Sequence, residues 1–162
     1  MGVYLMEIER KFLIGKLPDL ADLDLHRISQ GYISTSPDIR IRKDNEKYFL
    51  TMKGNGTLCR EEHTLEITSE EYNNLLAKCV GRTIEKLRYY APLKSGHIAE
   101  IDIYTGELDG LQVVEVEFKS GADAACFIPP EWFGAEVTHD MRYRNSSLAI
   151  SKTVPTNEEG CT

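Results

Sequence analysis

The chain has 162 residues, 41% hydrophobic and 28% charged, with a formal net charge of -7. That length suits one soluble domain with a sizeable core, and the acidic balance leaves no bulk basic face for general nucleic-acid binding. No apolar run reaches membrane-span length, and the four scattered cysteines lack Cys-x-x-Cys spacing, which fits reduced thiols in a cytoplasm better than a disulfide frame or a zinc site.

In chain order, Glu7-Ile8-Glu9-Arg10-Lys11-Phe12-Leu13 has strand character. Successive strand side chains alternate, so Glu7, Glu9 and Lys11 share one face, about 7 Å apart, and Ile8 and the Arg10 stem share the other. Gly15 to Leu25 reads as a turn and one short helix opened at Pro18-Asp19. Ile28 to Ile33 is a strand ending in the turn-rich Ser34-Thr35-Ser36-Pro37-Asp38, and Ile39-Arg40-Ile41-Arg42 alternates with both arginines on one face. Tyr48 to Lys53 returns as the second strand of a hairpin, and Leu58 to Ile67 places Arg60, Glu62, Thr64 and Glu66 on one face. Thr68 and Glu71 form a capping box for a helix whose apolar spacing runs from Tyr72 to Val80 and ends at Gly81. Three further strands follow, about Ile84–Tyr90, His97–Tyr104 and Leu111–Lys119. Gly121 to Ile128 is a short helix stopped by Pro129-Pro130, Trp132-Phe133-Gly134 is a turn, and Thr138 or Asp140 caps a final helix through Ile150. The expectation is a single domain over residues 1–153 with a frayed polar tail over 154–162.

The same device recurs on strand after strand. Acids fall at Glu7, Glu9, Glu62, Glu66, Glu100, Asp102, Glu115 and Glu117, and bases at Lys11, Arg40, Arg42, Lys53, Arg60, Lys86 and Arg88. For any one charged pair, a solvated strand face is the commoner outcome. Six strands with the same pattern suit a different arrangement, an antiparallel barrel with a polar interior and an apolar outside covered by helices. Ions at that density pair among themselves or wait for a polyanion and a hard divalent cation to complete the set. Arginine and lysine grip phosphate oxygens, and carboxylates hold Mg²⁺ or Mn²⁺. No G-x-x-x-x-G-K-[ST] loop is present, so a P-loop is excluded, and Gly54-Asn55-Gly56 is too short to cradle phosphate alone. Cys59 and Cys79 read as small buried hydrophobes, Trp132 as core and His139 as a surface neighbour.

The ordered set Glu7-x-Glu9-x-Lys11, Arg40-x-Arg42, Thr51-x-Lys53, Arg60-x-Glu62, Lys86-x-Arg88, Glu100-x-Asp102, Glu115-x-Glu117 and Thr138-x-Asp140 resembles the CYTH superfamily, the triphosphate tunnel metalloenzymes. The ending Trp132…Arg142-Tyr143-Arg144-Asn145 resembles its short bacterial branch, associated with inorganic triphosphate hydrolysis. The resemblance implies an α+β fold built on an eight-stranded antiparallel tunnel, dependence on Mg²⁺ or Mn²⁺, and a small triphosphate as substrate. Charge and apolar run length give the expectation of no membrane or nucleic-acid partner, and a monomer or homodimer is expected. It implies that Glu115 and Glu117, helped by Glu62, hold one cation. Glu7, Glu9 and Lys11 form the catalytic set, the two acids holding a second cation beside the attacking water. Lys11, Arg40, Arg42, Lys53, Arg60, Lys86 and Arg88 bind phosphates, and Asp140 pairs with one of these bases at the tunnel mouth. A class IV adenylate cyclase, a thiamine triphosphatase and a non-catalytic polyphosphate-binding module are the alternatives.

Overall fold

The computed structural model describes residues 5–156. Eight strands make the wall of a closed antiparallel barrel: β1 (Leu5–Ile14), β2 (Asp24–Thr35), β3 (Asp38–Asp44), β4 (Lys47–Lys53), β5 (Cys59–Ile67), β6 (Val80–Pro92), β7 (Ile98–Tyr104) and β8 (Gln112–Glu117). They run in the order β5-β4-β3-β2-β6-β7-β8-β1, and a β5–β1 pairing that sets Glu7 opposite Arg60 closes the ring. Closure removes the exposed edges that an eight-stranded open sheet would leave. A ninth strand, β9 (Phe133–Glu136), lies along β1 beyond the stretch that pairs with β5.

Two-residue alternation divides the side chains between the outside and the inside of this wall. On β1, Phe12 faces outward into an apolar cluster with Ile101, Val114, Val116, Phe127 and Phe133, covered by α2 (Gly121–Cys126). Arg10 shares that outer face; its guanidinium bonds Glu136 and the carbonyls of Ala124 and Phe127, tying β1 to β9 and the end of α2. A second helix, α1 (Ser69–Leu76), has the predicted Thr68–Glu71 capping box and lays Tyr72 against Tyr48, with ring centroids 5.1 Å apart. The other apolar cluster contains Tyr32, Ile84, Tyr104, Val113, Tyr143 and Leu148, and joins strand residues to α3 (Asn145–Ile150). It includes Tyr32 and Tyr143, which also line the interior cavity, so the C-terminal segment blocks part of the barrel interior rather than lying wholly outside it.

Several local expectations change. Residues 15–23 form turns rather than a helix: Asp19 accepts from the Ala21 N–H at 3.0 Å, and Leu20 and Leu23 pack separately against the outer core. Helix α1 stops at Leu76, because Val80 already begins β6 and Gly81 takes φ +67°. Only Tyr72 of that helix is fully buried. Trp132-Phe133-Gly134 leads into strand rather than a plain turn; a Cβ at Gly134 would stand 3.1 Å from the Leu13 carbonyl oxygen, so glycine permits this close strand approach. The single final helix is two pieces, a 3-10 turn Met141–Tyr143 and α3, separated by Arg144 in extended conformation. Cys59 is exposed and Cys79 half-buried, not the small core residues expected. Of the predicted tail, Val154 packs against the second cluster, while residues 157–162 lie outside the described residues.

Candidate functional site

The barrel interior holds a cavity of about 220 Å³ lined by eight acids and seven bases. Strands supply Glu7, Glu9 and Lys11 from β1, Asp38, Arg40 and Arg42 from β3, Lys53 from β4, and Arg60 and Glu62 from β5. Arg88, Glu100, Glu115 and Glu117 come from β6 to β8, and Asp140 and Arg144 from the C-terminal segment. Register explains the convergence. Lys11 stands opposite Glu115, Glu9 opposite Glu117 and Glu100 opposite Glu115, so the alternating charges of neighbouring strands stack into one wall.

Three predicted positions fall outside that wall. Glu66 shares the β5 alternation but is exposed at the far end of the strand, opposite Phe49. Lys86 and Asp102 have fully buried side chains, paired at 2.6 Å, and neither lines the cavity. Asp140 does line it, but pairs with Arg142 at 2.7 Å and accepts from the Arg142 N–H instead of meeting one of the predicted tunnel bases. Alternation fixes the side of the sheet a residue faces; position along the barrel axis decides whether it reaches the cavity.

Within the cavity the ion pairing is uneven. Lys53 Nζ lies 2.5 Å from Glu7 and 3.3 Å from Glu62, Lys11 lies 3.0 Å from Glu115, and Arg60 donates to Asp38 at 3.0 Å. Lys11 also donates to the Tyr143 carbonyl at 3.2 Å, and Thr138 Oγ1 accepts from its backbone N–H at 3.0 Å. Arg40 and Arg42 differ. Arg40 is buried and Arg42 half-buried in the wall, neither makes an ion pair among the described residues, and the Nε of each is buried without a hydrogen-bond partner. Burial, reinforced by Arg40 and Arg88, pushes the Arg42 guanidinium down to about 10. Burial works against the Arg40 charge too, but Tyr32, Glu62 and Glu7 outweigh it and raise that group, so the uncompensated cost falls on Arg42. With Arg40 two residues away on the same face, Arg42 marks a place suited to an anion.

The acids show the complementary condition. Burial, with Glu9 adding repulsion, raises Glu7 to about 7 despite the nearby Lys53. Burial likewise raises Glu117, with Glu9 and Glu62 adding to the shift. Glu62 goes the other way: Lys53 and Arg40 outweigh burial and hold it down at about 2. Glu62 Oε2 and Glu115 Oε1 are buried without a hydrogen bond, although a lysine stands near each. This oxygen-only donor set fits a hard divalent cation. Among the described residues no three carboxylate, imidazole or thiol groups make a ready cage. Mg²⁺ commonly uses one or two carboxylates and completes its shell with water and substrate phosphate, so a cage is not required.

One consequence concerns pH. Glu7 binds its proton in the folded state up to about pH 7 but has an ordinary value of 4.5. Its contribution to stability is therefore present below about pH 4.5 and is lost as pH rises to about 7. Thermal unfolding of metal-free protein should show this decline, and Glu7→Gln should flatten it; an unchanged slope in the variant would contradict it.

Asp38 and Arg144 are wall residues that sequence reasoning did not assign a role. Asp38 precedes Arg40 by two residues on the same face, a signal masked by its position at the end of a turn-rich stretch. Arg144 donates to the Gly56 carbonyl, and Thr57 Oγ1 meets His139 Nδ1 at 2.5 Å, so the β4–β5 loop and the C-terminal segment meet beside the cavity.

The CYTH domain model matches residues 5–128. An inorganic triphosphatase of Nitrosomonas europaea is 43% identical over 148 residues, covering 90% of this chain and 97% of that protein. An inorganic triphosphatase of Acetivibrio thermocellus is 40% identical over 148 residues, covering 88% of this chain and 92% of its own. The crystal structure of the inorganic triphosphatase NE1496 superimposes with a TM-score of 0.70 at 39% identity, covering 94% of this chain and 98% of that one. With most of its length matched by the family model and by relatives well above 30% identity, and with its charged faces gathered inside one closed barrel, the chain belongs to the CYTH domain family.

Proposed function

We propose that this protein hydrolyses a triphosphate, inorganic tripolyphosphate above all, to pyrophosphate and phosphate with the help of Mg²⁺ or Mn²⁺. The observation that carries the reading is the pair of arginines, Arg40 and Arg42, whose buried Nε atoms lack hydrogen-bond partners and which contact no carboxylate among the described residues, in a cavity otherwise crowded with acids. The inorganic triphosphatases to which the chain is similar support the choice of substrate.

Arg40 and Arg42 bind and orient phosphate oxygens, with Lys11, Lys53, Arg60 and Arg88 placed around the same cavity to offset charge as the bridging bond breaks. Lys86 is left out of this set because it does not line the cavity. Glu7, Glu9, Glu62, Glu115 and Glu117 would hold the divalent cation or cations. Bound there, such an ion neutralises phosphate charge and eases ionisation of the attacking water. Glu9 and Glu7 sit on β1 at the cavity, where they would orient that water for in-line attack on the terminal phosphorus.

Ligand-linked stability tests the binding half of this reading. A polyanion that binds only the folded state stabilises it by about 2.7 kcal/mol at 100 times its Kd. Tripolyphosphate with Mg²⁺ should therefore raise Tm well beyond chloride at matched ionic strength, and pyrophosphate should do so less because it leaves part of the basic wall unpaired. Equal Tm values in tripolyphosphate and chloride would favour a barrel whose ions serve only one another.

A further inference from the structure

Asp102 lies outside the cavity wall, yet both of its carboxylate oxygens are occupied. Oδ1 accepts from Arg88 Nε at 2.7 Å, while Oδ2 accepts from Arg88 Nη2 at 2.7 Å and from Lys86 Nζ at 2.6 Å. The side chains of Asp102 and Lys86 have no solvent exposure. Arg88 itself lines the cavity, and its remaining nitrogen, Nη1, lies 2.8 Å from Glu100 on the same wall. One edge of the guanidinium is thus fixed from behind, and the other is presented at the cavity. A carboxylate this deeply buried stays ionised only when opposite charge stands against it, and Lys86 supplies a cation in addition to Arg88.

We infer that Asp102, kept charged by Lys86, is a positioning residue for Arg88, fixing the guanidinium plane so that Nη1 exchanges Glu100 for a phosphate oxygen without the group turning. The inference rests on the phosphate-binding reading of the cavity. It assigns Lys86 a supporting charge behind the wall in place of direct phosphate contact. An arginine already held in its bound orientation loses less freedom when the anion arrives, so the effect falls on substrate affinity more than on the chemical step.

A double-mutant cycle on tripolyphosphate hydrolysis with Mg²⁺ tests this, with calorimetric binding of tripolyphosphate as a parallel reading. D102N should raise KM by roughly tenfold, the scale expected when hydrogen bonds to a charged group are lost, and should lower kcat less than it raises KM. If Asp102 acts through Arg88, D102N adds no more than about twofold to KM once R88A is present. KM effects that multiply in the double variant, or a lower Tm with unchanged KM in D102N, would overturn the role. Should D102N fail to fold, D102E goes through the same cycle with the same criteria, since it keeps the charge and displaces both oxygens. A wild-type protein that neither binds nor hydrolyses tripolyphosphate would overturn the functional reading and this inference with it. Wild-type hydrolysis with an additive cycle would overturn only the inference.

Discussion

Removal of divalent cations by exhaustive chelation is expected to bring tripolyphosphate turnover to background, with Mg²⁺ or Mn²⁺ restoring it. The expectation follows from the donor set. The cavity acids are carboxylates throughout, and three of them, Asp38, Glu62 and Glu115, carry a buried oxygen without a hydrogen bond. The described cysteines are free thiols at separate sites, and His26, His63 and His97 each pair with an acid away from the cavity wall. Oxygen ligands of this kind select hard ions over the softer ones that thiolates and imidazoles prefer. Substrate charge gives a second reason. The unpaired arginines alone cannot balance a tripolyphosphate among eight wall acids, so the ion enters with the anion as part of the charge balance. Undiminished turnover after chelation would remove metal assistance from the account.

The second large effect concerns Glu9. It stands opposite Glu117 in the β1–β8 register and on the same inward face as Glu7 and Lys11. Glu9→Gln keeps the side chain's size and removes the charge that would hold a cation beside the attacking water. Turnover should fall by roughly 10²-fold or more while tripolyphosphate still binds, the signature of an interaction made chiefly in the transition state. Arg40→Ala makes the contrast, because a guanidinium buried without a carboxylate partner meets phosphate before the transition state. Its loss should mainly raise KM. A Glu9→Gln enzyme with normal kcat and impaired binding would reverse the assigned roles.

Much of the barrel wall was legible because a strand repeats every two residues and closure turns one face of every strand toward the same interior. Glu7, Glu9 and Lys11 follow that rule, as do Arg40 and Arg42, and Glu115 and Glu117, and all seven line the cavity. The rule gives no depth along the barrel axis. Glu66 keeps the phase of Glu62 yet lies exposed near the strand's end, and Lys86 keeps the phase of Arg88 yet is sealed behind the wall with Asp102. Asp38 was hidden for another reason: Ser34 to Asp38 has turn chemistry, which competes with the alternation that places this acid beside Arg60. The C-terminal segment was least legible. Its contributions from Val137 to Ser146 come largely from turns and a 3-10 piece held by long-range contacts, such as the Val137 N–H to the Lys11 carbonyl at 2.8 Å. Helical spacing could not foresee the break at Arg144, which divides the predicted final helix.

In the proposed reaction, water attacks the terminal phosphorus of a triphosphate held by its phosphates alone. Product analysis by ion chromatography, after incubating the protein with tripolyphosphate or ATP and Mg²⁺ or Mn²⁺, distinguishes this reaction from cyclisation. Hydrolysis should give pyrophosphate and phosphate in equal amounts from tripolyphosphate, at a higher kcat/KM than for ATP, and ADP with phosphate from whatever ATP is consumed. Cyclic AMP and pyrophosphate as the dominant products from ATP, with tripolyphosphate left intact, would contradict it.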